Sequence, residues 1–492
     1  VNPTRPAAAP PPFLPTSALS LELDGFVAVT AAMHAGFAEA RSTFECTLPQ
    51  LDPNVGFFVL AGIDPLLDAL ERFKLKSDEL VWLESIGAID ANSKKRLTEM
   101  RFSCDVDAAP EGSVVFPGAP VLVIEGPFWQ AQIVSAVVRA ALGAPTLAAT
   151  KAARCALAAD GCEIIESAAA TMNRLGGNPQ IARAAYVGGA SATTCALAAR
   201  RYRIPVRASL PLRYAHAAGD EKIGFESWLK ASQDRAILRI DHRNARESID
   251  AAIAAVKERA QSSSWHDQDV AIEIGGGDLA DLAALAIESF KNANLPEPVL
   301  VGSGRHLDEF AIADYRTREA PFSAFIVSCM ELSKSGDGDW NADFDLSAIE
   351  RGGQWAPRMR VGKNLATSSD PGRKVILRYV DADERPVADV ACATNERIGS
   401  AKDLKFVDRA TGFPTRLKGA KSSAPLLSNV MRNGKRVTAM EDARRIRERV
   451  SLSLSALHER FKRLRAPAIY PVGATASLAS LKDELIADSR GS

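Results

Sequence analysis

Four short apolar runs in the middle of the chain limit its fold more than any other feature: AILRID (236–241), VAIEIG (270–275), VLVGSG (299–304) and AFIVS (324–328). The first three each lead into a polar turn and then a helical pattern, while the pattern after the fourth is less regular. They recur roughly every 25 to 35 residues, the βα period of an α/β barrel or a doubly wound sheet. Runs this continuously apolar are buried on both faces of a sheet, so parallel pairing is expected.

The regions on either side read differently. At 492 residues the chain is too long for one compact core, and its texture divides it into four parts. Residues 1–20, with VNPTRPAAAPPPFLP, form a flexible Pro/Ala-rich arm. Residues 21–145 form an N-terminal α+β domain. In it LELDGFVAVTAAMHAG (21–36) has helical apolar spacing, FFVLAGI is a short apolar run, and VDAAPEGSVVFPGAPVLVIEGP (106–127) gives short strands between Pro and Gly turns. Residues 146–345 form the α/β barrel, and residues 346–492 a C-terminal domain that returns to the N-terminal one. QAQIVSAVVRAALGAPTLAATKAAR (130–154) predicts two helical segments broken at Gly143 to Pro145. SGDGDWNADFDLSAIERGGQ (335–354) reads as polar and turn-rich, and VILRYVDADERPVADV (375–390) as a hairpin turning at DAD. DARRIRERVSLSLSALHERFKRLR (442–465) predicts one amphipathic basic helix whose charges form a solvated face.

Composition excludes some functions. Lys plus Arg and Asp plus Glu each number 60, so no net field draws nucleic acid or anionic membrane. No apolar stretch is long enough to span a bilayer. The seven cysteines are scattered, without CxxC spacing or a nearby His at a metal-finger interval, so buried reduced thiols, no metal site and a cytoplasmic setting are expected. Residues 1–15 lack the basic start and apolar core of a secretory signal.

Six segments, HAGFAEARSTFE (34–45), FFVLAGIDPLLDALERF (57–73), AAPEGSVVFPGAPVLVIEGP (108–127), TLAATKAAR (146–154), ARAAYVGGASATTCALAARRYRIPV (182–206) and DPGRKVILRYVD (370–381), follow one another in an order that resembles the nicotinate phosphoribosyltransferase family. Members of that family join nicotinate to phosphoribosyl pyrophosphate on the route to NAD. The resemblance implies an irregular α/β barrel with an N-terminal α+β domain and a C-terminal extension, and a dimer with sites shared between subunits. Mg²⁺ and phosphoribosyl pyrophosphate are implied only if the activity survives.

The resemblance also implies a set of functional positions, and most are altered here. The family's phosphorylatable His, read on without a gap from Ile204-Pro205-Val206, falls at Leu212, with Glu221 and Phe225 supporting the register; His216 lies one helical turn on. Its paired arginines, suited to carboxylate and pyrophosphate by their planar fork, correspond to Ala170 and Thr171, with Arg174 three residues on. Its Arg-Ile-Asp-Ser-Gly-Asp signature is Glu273-Ile274-Gly275-Gly276-Gly277-Asp278, a charge reversal at the first position. Its stacking aromatic corresponds to Asp24, its Phe-x-Gly-Asp has Cys104 for the Gly, and its glycine phosphate loop is Ile326-Val327-Ser328-Cys329. Thr150, Lys151 and Arg154 are retained, on a helix that fits a structural role as well as a functional one. No catalytic residue is therefore assigned. Two turns are the candidate phosphate sites: Gly302, Ser303, Gly304 and Arg305, and Gly276, Gly277 and Asp278, the second reading more readily as a tight βα connection. Asp241 and His242 form a further candidate base pair.

Three functions stay open at this point. The first is a catalytically degenerate member acting as scaffold, regulator or ligand-binding protein, as a homodimer or paired with a paralogue. The second is an enzyme of this fold acting on another phosphorylated substrate. The third is an authentic nicotinate phosphoribosyltransferase.

Overall fold

A computed structural model of the chain describes residues 21–167, 179–232, 236–261, 270–304, 306–328, 330, 341–363, 367–396 and 405–491. The chain divides into two compact units, Val1–Leu147 with Ser333–Ser492, and Ala148–Leu332.

In the first unit a seven-stranded sheet joins sequence from both ends. Arg41–Thr47 lies between Asp343–Arg351 and Pro120–Pro127, antiparallel to each, and Ser428–Arg432 pairs with Asp105–Ala108. A six-stranded sheet carries the expected hairpin, Lys374–Val380 against Pro386–Ala393. Its turn is held by the Asp381 carboxylate, which accepts from the backbone N–H groups of Asp383 and Arg385 at 2.9 Å each.

Three expectations are corrected in this unit. The segment read as turn-rich contains a nine-residue strand, Asp343–Arg351, which turns at Gly352 and Gly353 into Gln354–Pro357. Both glycines have positive φ, the conformation such a turn needs. The alternation in FDLSAIE was the overlooked signal. Next, Phe128–Ile133 and Ser135–Ala159 are the two helices, so the break falls at Val134 and Pro145 lies inside the second. Pro145 leaves the Ala141 carbonyl without its helical N–H. Gly62 packs directly on that carbonyl, where a Cβ would come within 1.9 Å. Last, the basic C-terminal helix is two pieces, Ala443–Ala456 and Glu459–Lys462. His458 separates them by capping the second piece, its Nδ1 accepting from the Arg460 N–H at 3.2 Å.

The second unit holds the apolar runs. Its six-stranded sheet has the order Ala192–Thr193, Glu163–Glu166, Ala324–Val327, Val299–Gly304, Val270–Ile274, Ala236–Ile240, and every pairing is parallel. The sheet is curled. On its inner face Ile165, Ala192, Ile237, Ala271, Val301, Ala324 and Ile326 form one apolar layer. Residues 206–209 touch both edges of the sheet: Val206 forms a parallel bridge to Thr193, and Ser209 one to Ile237. The main-chain bonds there are Thr193 N–H to Pro205 O at 2.9 Å, Arg207 N–H to Thr193 O at 3.2 Å, and Leu210 N–H to Ile237 O at 2.9 Å.

Candidate functional site

Side chains alternate along a strand, so residues two beyond the apolar layer, toward the C-terminal strand ends, face the same way. At that level the inner face turns polar. It carries Arg239, Glu273 and Ser303 on three adjacent strands, and Ser209 from the segment that bridges the edges. Arg239 and Glu273 are directly in register, as are Val301 and Glu273.

Glu273 is the hub. It is 1% exposed, and its two carboxylate oxygens accept one hydroxyl each, Oε1 from Ser303 and Oε2 from Ser209. Arg239 Nη1 stands 3.4 Å from Oε1, a charge contact beyond hydrogen-bond geometry. The carboxylate thus ties the bridging segment to the sheet where main-chain pairing is sparse. It also explains Gly275: a Cβ there would lie 2.8 Å from Arg239 Nη2 and 2.9 Å from Ser303 Oγ.

Within the two candidate phosphate turns, Asp278 and Ser303 already have partners inside the chain. Asp278 is the N-cap of Leu279–Asn292, its carboxylate accepting from the N–H groups of Ala280 at 3.0 Å and Asp281 at 3.2 Å. A carboxylate on those donors leaves them closed to a phosphate, and Gly277, at φ +74°, serves the tight connection that leads there. In the other turn the Ser303 hydroxyl is taken by Glu273, and Gly302 lies against Phe325, whose ring sits 3.0 Å from a Cβ built on the glycine. Gly304 is open, with nothing within 4 Å of such a Cβ. The following helix, Glu309–Thr317, is capped by its own Asp308. Arg305, Ala170, Thr171, Arg174 and Cys329 lie outside the described residues.

Leu212 opens the helix Leu212–Ala217, which directly follows the bridging segment, and His216 is on its last turn. His216 Nε2 stands 3.7 Å from Asp241 Oδ2, so Asp241 has His216 and Arg243 for partners. The side chain of His242 lies outside the described residues. Arg243 donates to both Asp241 oxygens, and these bonds hold the carboxyl far below its usual range. His216, Asp220, Asp241, Arg243 and Glu247 line an open cleft of about 720 Å³.

The retained Lys151 and Arg154 are buried and both bind Glu309, Arg154 Nε at 2.9 Å. That is a structural assignment for the pair. Cys104 is also structural: it fills the space beside Gly126, where a Cβ would lie 2.5 Å from its sulfur, and burial pushes its thiol up to about 12. Asp24 is exposed in the first turn of Leu23–His34.

Sequence reasoning missed Arg239 and Ser209. The signal for Arg239 was present, since it is the only charge inside the Ala236–Ile240 strand, as Glu273 is inside Val270–Ile274. A single charge in each of two neighbouring, otherwise apolar strands is expected to pair.

A parallel α/β unit with a polar mouth at its strand ends, together in one chain with an antiparallel unit built from both chain ends, is the class of protein these features define. Comparison with known proteins is consistent with that class. The model of the nicotinate phosphoribosyltransferase N-terminal domain matches residues 26–142, and that of the C-terminal domain matches residues 373–482. The nicotinate phosphoribosyltransferase of Bacillus subtilis is 24% identical over 438 residues, covering 89% of this chain and 88% of its own length. The human nicotinate phosphoribosyltransferase is 24% identical over 509 residues, covering 92% and 94%. In fold, the crystal structure of human nicotinic acid phosphoribosyltransferase superposes with a TM-score of 0.78 at 22% identity, covering 94% of this chain and 99% of that one. A nicotinate-nucleotide pyrophosphorylase from Pyrococcus furiosus superposes at 0.63 with 18% identity, covering 89% and 95%. The chain belongs to the nicotinate phosphoribosyltransferase family.

Among the described residues no helix is long and apolar enough to cross a membrane.

Proposed function

We propose that this chain is a catalytically degenerate nicotinate phosphoribosyltransferase-like protein, with a regulatory, scaffold or ligand-binding role on an irregular α/β barrel closed by residues 206–210. The carrying observation is Glu273, a buried carboxylate bound by Ser209 and Ser303 at the mouth of the parallel sheet. The family resemblance places an arginine there. A pyrophosphate-bearing substrate entering this mouth meets a carboxylate that cancels the charge of Arg239, so the excess positive charge a pyrophosphate needs is missing there. Leu212 supplies no nucleophile, and the Asp278 cap holds the backbone donors that a phosphate would take.

The test is direct. The purified chain is incubated with nicotinate, phosphoribosyl pyrophosphate and Mg²⁺, with and without ATP, and nicotinate mononucleotide is measured by chromatography. No product above the enzyme-free control is expected, and turnover at a rate typical of an enzyme would establish activity in NAD biosynthesis instead. A second reading, a phosphorylated ligand held at Gly302, Gly304 and Arg305, draws support from the open space at Gly304. Binding of a sugar phosphate without turnover, lost in Arg305→Ala, would favour it. Self-association, or pairing with an active paralogue in the cytoplasm, belongs with the first reading, and sedentation of the purified chain with and without such a paralogue tests it.

A further inference from the structure

Arg239 differs from the buried or ion-paired arginines that hold this fold together. Arg154, Arg243, Arg373, Arg378 and Arg409 each donate a hydrogen bond to a carboxylate. Arg239 donates none among the described residues, although its side chain is 35% exposed at the polar mouth. Its Nε is buried without an acceptor. Glu273, its in-register neighbour, accepts one hydrogen bond on each oxygen, from Ser303 and from Ser209, and holds the guanidinium by charge alone at 3.4 Å. A guanidinium carries five donors in a planar fork matched to an oxyanion, and leaving them unused beside solvent is a reserve of binding capacity.

We infer that Arg239 is the ligand-recognising residue of this mouth, and that the ligand it fits is a hydroxylated monocarboxylate. This deepens the proposed function and rests on its reading that the mouth no longer serves phosphoribosyl pyrophosphate. The fork sets the oxyanion. The charge limit comes from Glu273: with Arg239 it makes a neutral pair, and the nearby Asp241 charge is matched by Arg243. One added negative charge can be met by the single fork at such a mouth, whereas the further charges of a pyrophosphate find no second uncompensated cation among the residues described at this mouth. The hydroxyl preference follows from the polar level of the inner face to which the fork belongs. Ser209 and Ser303 bind the Glu273 carboxylate that Arg239 contacts, and Ser167 and Thr194, two residues beyond Ile165 and Ala192 of the inner layer, carry hydroxyls 3.5 Å apart at the strand ends on the other side of the sheet. These side chains donate and accept, so they suit ligand hydroxyls better than further charge.

The experiment is calorimetric titration of the full chain with gluconate and, separately, with inorganic pyrophosphate, at low ionic strength and without metal. Gluconate is expected to bind, and pyrophosphate to bind more weakly by about tenfold or more. Arg239→Met is expected to weaken gluconate roughly ten- to a hundredfold, the loss of one or two charge-assisted hydrogen bonds. Arg239→Lys, which keeps the charge and loses the fork, is expected to fall between. If Arg239→Met does not fold, protection of Arg239 by gluconate against phenylglyoxal, mapped by peptide mass, decides the same point. Absence of gluconate binding, equal binding by Arg239→Met, or pyrophosphate binding more tightly than gluconate would overturn the inference. None of these readouts depends on turnover, so the two failures are told apart: nicotinate mononucleotide formation would end the proposed function and the premise taken from it, whereas absent gluconate binding without turnover would end this inference alone.

Discussion

Two buried glutamates of the parallel unit, Glu309 and Glu273, are 2% and 1% exposed and live in opposite company. Glu309 is held by two cations, Lys151 and Arg154, and both donate hydrogen bonds to it. Burial alone would raise its carboxyl, but the two cations outweigh burial and the pKa is lowered. Glu273 is held by two serine hydroxyls, and the cation in register with it stays uncommitted. The difference separates two uses of one residue pair. Where arginine and carboxylate are locked together the assembly is structural; where hydroxyls satisfy the carboxylate, the arginine is left over for another partner. Retention of Lys151 and Arg154 in the family-like TLAATKAAR segment therefore speaks for the scaffold, and says little about chemistry.

Breaking the first arrangement should have the largest effect. Glu309→Gln leaves two buried cations without their anion, and a destabilisation of about 3–5 kcal/mol is expected in chemical unfolding. The same site gives a pH dependence of known sign. Its folded pKa lies below the ordinary 4.5, so its contribution is fully present above that value. It is lost as pH falls from there through the lower folded value. Acid titration of Glu309→Gln should therefore show a shallower fall in stability below about pH 4.5 than the parent chain. Equal slopes would mean that Glu309 carries no such coupling. Glu273→Gln is the milder change, because the amide oxygen can still accept from one of Ser209 and Ser303 while its NH2 donates to the hydroxyl oxygen of the other. A loss of about 1–2 kcal/mol is expected, measured the same way. A loss as large as that of Glu309→Gln would make the two sites equivalent and remove the contrast.

Sequence alone carried the parallel sheet and missed this contrast, for one physical reason. Strand existence is written locally, in continuous apolar runs, and all four proposed runs contain a strand at nearly the proposed limits. Register is not written locally. That Arg239 sits opposite Glu273, or that Ser209 reaches the same carboxylate from 64 residues away, follows only from pairing and from the segment that bridges the sheet edges. The same limit explains Ser303, whose GSG setting reads as a phosphate turn until its hydroxyl is seen to face Glu273. Pro145 erred for a related reason: its helix runs on through the proline, and Gly62, 83 positions earlier, leaves room for the carbonyl that the proline orphans. At Asp278 the blander reading was available in sequence, since Asp before LADLAALA is an N-cap signal in its own right.

That cap gives a smaller and more selective prediction. Asp278→Ala removes the acceptor for the Ala280 and Asp281 N–H groups and should cost about 1 kcal/mol. If those donors are closed to phosphate only by the cap, the variant should gain weak inorganic phosphate binding, visible as a chemical-shift change at Ala280 and Asp281. Arg239→Met should have the smallest effect on stability of any substitution at the mouth. Its guanidinium makes no hydrogen bond among the described residues, and its charge contact with Glu273 is partly exposed. The change in unfolding free energy should stay within about 1 kcal/mol, because the Ser209 and Ser303 hydroxyls still satisfy the buried Glu273 carboxylate. A loss comparable to that of Glu309→Gln would show that the structure depends on Arg239 after all, and the arginine would then be a counter-ion like Arg154. A near-zero change in stability, combined with weakened gluconate binding, is the pattern a recognition residue gives and a structural one does not.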